Sequence, residues 1–306
     1  MRYLDPKSDL VFKRVFGEHA NILMSFLNAM LPLDEGQVIE HLEYLPSELL
    51  PDLPIFKNTI VDVRCKDNSG RQFIVEMQMF WSDNFKSRMV YNAAKTYVKE
   101  LDKGLAYKEL QPVYALAMVN EIFEFEAKEY YHHYKLTHQS IAIKKMDDLH
   151  IIFVEIPKFR PQSMKERKLS VLWMRFISEV KNDNPMLSEE LIMELQTVPE
   201  IAQALEIAKE SGYTKEELLS YDKFWDAIRI EKTLISDAEE RGEKRGEKRG
   251  EKRGEKRGEK IGDFKRVVSV VLNGFDNGVK ISTLSLLTNL SEEEVNKIIS
   301  EHRRKV

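Results

Sequence analysis

The chain has 306 residues, 42% of them apolar and 32% charged, which leaves room for one sizeable domain with appendages or for two domains, each with a buried core. A single cysteine, Cys65, excludes an intrachain disulfide. Asp5 and Asp9 stand where a signal peptide needs an apolar run, and the longest unbroken apolar stretch, Val113 to Val119, falls far short of the ~20 residues of a membrane helix, so a soluble cytoplasmic protein with no membrane contact is expected. Residues 241–260 carry ten positive and five negative charges, and removing that +5 from the net −4 leaves −9 on the rest of the chain, which argues against a general nucleic-acid adhesive and requires any DNA contact to come from a local patch or a bound metal ion.

Residues 7–31 have helical spacing: Leu10, Phe12, Val15 and Phe16, then Ile22, Leu23, Phe26, Leu27 and Met30, with Gly17 between the two helices and Pro32 after them. Residues 32–57 hold four of the ten prolines and read as loop with short ordered pieces. Thr59 to Cys65 and Phe73 to Phe80 are apolar and β-branched. Turn residues from Lys66 to Arg71 lie between them, so the pair is a β-hairpin. A helix is predicted from about Asp83 to Lys103, closed by Gly104. Pro112 to Asn120 and Ile151 to Ile156 have strand length and composition. The order α, β, β, α, β, β with helices interspersed specifies an α/β core around a mixed sheet.

Residues 162–240 read as helical throughout, with Trp173, Phe176, Phe224 and Trp225 on apolar faces and Pro185 and Pro199 at helix boundaries. Residues 241–260 are five copies of Arg-Gly-Glu-Lys. Like charges face each other at i+4, as in Glu243 with Glu247, and each glycine costs about 1 kcal/mol against alanine. In isolation the segment should fray. It reads as a spacer that is a continuous helix mainly when paired, in a homodimer through the repeat and the C-terminal helices. Beyond it, Phe264 to Leu272, Ile281 to Leu287 and Ser291 to Ile299 suggest three short helices, the last opened by a capping box of Ser291 with Glu294. Glu292, Glu293 and Glu294 at its start are wrong for a helix entering the DNA major groove, so packing or oligomerisation is the expected role. The resulting division is a core over 1–160, a helical extension packing on it over 161–240, the spacer over 241–260 and a small helical domain over 261–306.

Asp62 and Glu76 are the chemically informative residues. Each sits mid-strand among apolar neighbours, where acids are poor strand formers and an unpaired buried carboxylate is costly. Alternation sends Glu76 and Gln78 to one face and Val75, Met77 and Met79 to the other. If the hairpin register brings Asp62 to the Glu76 face, two carboxylates and an amide converge, and these are the hard oxygen donors that Mg²⁺ or Mn²⁺ requires. The bland alternative is a solvent face, or pairing with Arg64 and Arg71. On the helix after the hairpin, Arg88, Lys95 and Lys99 form a basic stripe with Asn92 alongside, which could carry a DNA backbone or be only a solvated face. Tyr91 and Tyr97 read as core. His132 and His133 are adjacent and in a strand would face opposite ways, which argues against a zinc site.

The segment Asp5-Pro6-Lys7-Ser8-Asp9-Leu10-Val11-Phe12-Lys13-Arg14-Val15-Phe16-Gly17 resembles the opening motif of the recombination-promoting nucleases, also called transposases of the PD-(D/E)XK superfamily. Further matches follow in that family's order: Lys57 before Asp62-Val63, Gly70, Val75-Glu76-Met77-Gln78, Phe85 with Arg88 and Tyr91, Gly104 with Tyr107, and Pro112-Val113-Tyr114. The resemblance covers residues 4–240 and implies a restriction-endonuclease-like core, DNA as partner and a bound Mg²⁺ or Mn²⁺. It makes Asp62 and Glu76 the metal-binding acids and puts Gln78 at the position of the superfamily's lysine. Glutamine there is familiar in the family, but as a neutral amide it leaves the general base unassigned. Asp9 is a candidate for the extra acid such sites draw from an N-terminal helix, or equally a first-turn residue set against the helix dipole. The implied activity is metal-dependent endonucleolytic hydrolysis of DNA in recombination. The competing readings are a non-catalytic DNA-binding or regulatory protein with a degenerate site, and a toxin-like or phage-defence nuclease.

Overall fold

The computed structural model describes residues 2–49, 59–100, 106–141, 145–161, 168–181 and 187–303. Lys57, the predicted helix end at Lys103 with Gly104, and Pro185 lie outside them. The chain divides into two compact units, 1–229 and 230–306.

In the first unit, helices α1 (Asp9–Gly17) and α2 (Ala20–Met30) form as their spacing predicts, and the Ser8 hydroxyl caps α1 by accepting from the Val11 amide. Short strands β1 (Leu42–Tyr44) and β2 (Glu48–Leu49) follow, then β3 (Thr59–Ile60), β4 (Val63–Asp67) and β5 (Gln72–Gln78). Helix α3 (Asp83–Lys99) starts at a Ser82 cap. Strands β6 (Val113–Val119), β7 (Tyr131–Thr137) and β8 (Lys145–Glu155) complete the sheet. Its order is β1-β4-β5-β6-β8-β7, with β2 and β3 pairing separately. The strands β5, β6 and β8 run parallel, and the flanking pairs are antiparallel, so the sheet is mixed as expected.

Each face of the sheet buries a different set of side chains. Phe73 and Val75 of β5 point into a large core with Phe12, Phe16, Phe26 and Trp173. On that side α1 and α2 are joined by α4 (Leu169–Glu179), α5 (Glu189–Leu195) and α6 (Pro199–Ile207). Ile74 points the other way, into a smaller core with Phe85, Met89 and Ala93 of α3. Apolar runs such as β6 are buried on both faces, the mark of a parallel strand covered by helices on each side.

Two expectations need correction here. Asp62 is not mid-strand: it sits at the bend between β3 and β4, because β3 pairs with β2 rather than continuing the main sheet. Its carboxylate Oδ2 accepts the Met77 amide at 2.7 Å, a side-chain substitute for the ladder bond lost at the bend. Tyr91 is not core but 42% exposed, whereas Tyr97 is half-buried and its hydroxyl donates to Asp148 at 2.9 Å. The hairpin turn forms where predicted. Asp67 Oδ1 accepts from the Ser69 amide and hydroxyl and the Arg71 amide, and Gly70 takes φ +90°, a conformation that favours glycine.

Helix α7 (Lys215–Asp276) begins in the first unit and supplies most of the second. The Arg-Gly-Glu-Lys repeat lies inside it as continuous helix in a single chain, with all twenty residues exposed. Flanking helical turns on both sides spare the repeat the cost of nucleation, and Lys244 pairs with Glu240 at 2.5 Å, one turn back. The second unit ends with α8 (Ile281–Thr288) and α9 (Glu292–Arg303), packed with α7 around Val271, Leu284, Val295 and Ile299. The predicted capping box is present: the Ser291 amide donates to Glu294 Oε2 at 2.9 Å and the Glu294 amide to Ser291 Oγ at 3.2 Å.

Candidate active site

The register of the β4–β5 hairpin decides whether the two acids meet. Val63 pairs with Val75 in an antiparallel ladder, so the residue before Val63 and the residue after Val75 face each other across it. Those residues are Asp62 and Glu76. Both lie toward the carboxyl ends of the parallel strands, the edge of an open α/β sheet where ligands usually bind.

Glu76 is 4% exposed. Burial pushes its carboxyl above the usual range. The charge of Asp62 adds to that, while the Arg88 guanidinium and the Asn92 amide oppose it. Arg88 Nη2 donates to Glu76 Oε2 at 3.1 Å and Asn92 Nδ2 to Glu76 Oε1 at 3.2 Å. Asp62 is likewise raised, chiefly by burial and further by Asp9, against the Met77 amide, the Lys13 ammonium and Arg88. The site is thus a pair of like charges held together by cations.

The other predicted residues separate on this geometry. Gln78 shares the Glu76 face, but both ends of its amide are engaged: Oε1 accepts from Arg88 at 3.1 Å and Nε2 donates to the Phe80 carbonyl at 2.8 Å. Asp9 lies in the first turn of α1 and reaches the acids through Lys13, whose Nζ is 2.7 Å from Asp9 and 4.0 Å from Asp62. Arg88 bonds Glu76 directly. Lys95 instead donates to the Leu49 carbonyl at 2.5 Å and lies over the Tyr91 ring, turned toward β2, and Lys99 lies one turn further along α3. His132 bonds Glu155 at 2.7 Å and His133 bonds His150 at 3.1 Å, so the two do face apart.

Sequence reasoning passed over two residues as members of this site. Lys13 was legible as the i+4 partner of Asp9. Asn92 was legible as an amide in an otherwise apolar row with Phe85, Met89 and Ala93. It is fully buried against Glu76, and its Oδ1 is a buried acceptor with no hydrogen-bond partner.

Among the described residues, no group of three or more His, Cys, Asp or Glu side chains is placed to hold a metal ion. A divalent ion here would therefore rest on two carboxylates, with amide oxygen and water filling its remaining positions. That suits Mg²⁺, which keeps several waters and takes one or two carboxylates. The unpartnered Asn92 Oδ1 beside the acids is an oxygen suited to such a ligand or to one of its waters.

A family model described as PD-(D/E)XK nuclease family transposase matches residues 6–238. The chain belongs to that family. The match spans the first unit and runs into α7, and the six-stranded mixed sheet with its helices accords with the nuclease fold. No curated protein and no solved structure gives a significant match. No helix among the described residues of this PD-(D/E)XK family member is long and apolar enough to cross a membrane.

Proposed function

We propose that this protein is a metal-dependent endonuclease that hydrolyses DNA phosphodiester bonds, with Asp62 and Glu76 holding Mg²⁺ or Mn²⁺. The observation that carries the reading is the approach of the half-buried Asp62, at the bend before β4, to the buried Glu76 of β5, whose pKa it helps to raise, with burial raising both carboxyls. Perturbed acids of this kind concentrate at functional sites, because a purely structural fold gains nothing from packing like charges together. When bound, the ion supplies Lewis-acid stabilisation of phosphate charge and lowers the pKa of a coordinated water.

The chain's own residues do the rest. Asp62 is oriented by the Met77 amide, and Glu76 by Asn92 and Arg88. Arg88 is half-exposed, so its guanidinium can exchange a carboxylate oxygen for a phosphate oxygen of the incoming strand. In the reaction a water oxygen bonds to phosphorus and one phosphorus–oxygen ester bond breaks. One water proton finishes on the departing sugar oxygen, the other on the phosphate or in solvent.

Relaxation of supercoiled plasmid in Mg²⁺, with EDTA as control, tests this directly. The expected result is metal-dependent nicking, and a protein that leaves plasmid intact across Mg²⁺ and Mn²⁺ concentrations would overturn the proposal. One observation favours the non-catalytic reading: the Gln78 amide is closed off by its own chain at both ends. That reading expects gel retardation of DNA without nicking. In either case Arg88→Ala should weaken DNA binding about equally for all sequences and reduce the salt slope by about 1, as loss of one phosphate contact does. Salt-dependent binding isotherms check this.

A further inference from the structure

The geometry points to Lys13 of α1 as the cation that orients the attacking water and the scissile phosphate, a role that residue 78 does not fill. The inference rests on the nuclease reading above and deepens it. Position 78 carries a neutral amide whose oxygen and nitrogen each already hold a partner within the chain, so it contributes no charge. Among the described residues, two cations stand beside the acids. The Arg88 guanidinium is tied by one nitrogen to both Glu76 and Gln78, on the α3 side of the sheet. Lys13 approaches Asp62 from the other direction. It is held by Asp9 at 2.7 Å, and its Nζ is 4.0 Å from Asp62 Oδ1, beyond direct hydrogen-bond distance.

That distance is informative. Asp62 uses Oδ2 for the Met77 amide, so Oδ1 faces Lys13. An ammonium has three donors, and here the Asp9 carboxylate engages one of them. The side chain is 45% exposed, so the remaining donors open toward solvent at the carboxylate edge rather than into the core. A compact ammonium anchored one helical turn from Asp9, beside an acid of the pair, is placed to hold a water or a phosphate oxygen. Asp9 then has a definite part as the residue that fixes Lys13. It supplies positioning and not an additional ligand.

The test compares Lys13→Met, Lys13→Arg and the double variant Lys13→Met/Gln78→Lys with the wild type, in plasmid nicking and in calorimetric titration with Mn²⁺ alone. Lys13→Met is expected to lower kcat about 10²-fold, the scale of one positioned proton-transfer or electrostatic group, with KM for DNA little changed. Its Mn²⁺ affinity should be equal or tighter, because a positive charge beside Asp62 has been removed. Lys13→Arg should retain part of the activity. Gln78→Lys in the Lys13→Met background should recover about tenfold or more by returning an ammonium to the strand position. Lys13→Met that nicks like wild type, while Asp62→Ala does not, would overturn the assignment and leave the nuclease reading standing. Loss of Mn²⁺ binding in step with kcat would show that Lys13 only supports the fold, and would also overturn it. A wild type that binds Mn²⁺ but never cuts DNA would remove the nuclease reading and this inference together.

Discussion

Glu76→Gln and Asp62→Asn are expected to abolish Mg²⁺-dependent nicking and, at the same time, to make the metal-free protein more stable at neutral pH. The kinetic loss should be on the order of 10³-fold or more, about 4 kcal/mol of transition-state stabilisation, because removing one of two carboxylate ligands costs most of what the ion supplies. The stability gain follows from the direction of the pKa shifts. Both carboxyls are raised in the folded state, chiefly by burial, with Asp62 adding to the rise at Glu76 and Asp9 to the rise at Asp62. The folded protein therefore holds these protons more tightly than the unfolded chain. Its stability falls as pH rises from the ordinary carboxylate range to the raised folded values. A neutral amide of the same shape escapes that penalty. Thermal melts of the metal-free variants from pH 4 to pH 8 check it: the advantage over wild type should be absent at the acid end and full at neutral pH. Variants that nick normally would remove Asp62 and Glu76 from the site. Variants that lose activity only by unfolding would show a lowered melting temperature, the opposite of what is expected.

Much of this arrangement was legible in the residues before any coordinates. Acids in apolar strand contexts, together with strict alternation along β5, put Glu76 and Gln78 on one face, and the turn at Lys66–Arg71 set a register that only the ladder itself could confirm. The helices α1, α2 and α3 and the buried strand β6 followed from periodicity, because each buries a continuous apolar face. What was not legible depended on long-range pairing. β1 is three residues long and β2 two, too short to carry a periodic signal, and it is β2 that draws β3 out of the main sheet and leaves Asp62 at a bend. Strand β7 alternates poorly, with two histidines and two tyrosines in seven residues. It is specified by antiparallel pairing with β8 rather than by its own pattern. The members of the basic stripe on α3 meet different partners for a similar reason. Arg88 and Lys95 share a helix face, but Leu49 brings a carbonyl to one and β5 brings a carboxylate to the other. Lys13 stands inside the opening motif as the i+4 partner of Asp9, but no periodicity in the sequence sets its ammonium beside Asp62.

The second large effect lies away from the acid pair. Glu155 closes β8, and its carboxylate is fully buried. Oε1 accepts from the Phe123 amide at 2.6 Å and the Glu124 amide at 3.1 Å, while Oε2 meets His132 at 2.7 Å and the Lys158 ammonium at 2.5 Å. Lys158 in turn donates to the carbonyls of Glu124 and Ala127. One side chain therefore ties the segment after β6 to the ends of β7 and β8. Glu155→Ala strands a buried ammonium and two amides, a loss of about 3–5 kcal/mol by comparison with other broken buried pairs. In a domain of this size that lowers the melting temperature by roughly 10 °C. Burial raises the Glu155 carboxyl, but Lys158, the two amides and His132 outweigh it and hold the group below its ordinary value. Because the folded pKa is depressed, the stabilisation is fully present above the unfolded carboxylate range and drains away as pH falls through the folded value. Melting curves of wild type and Glu155→Gln should therefore converge toward acid pH and separate above about pH 5. A constant gap at every pH would mean that shape, not charge, holds this corner. Glu155→Ala melting with wild type would show that the loop and the two strands are held without it.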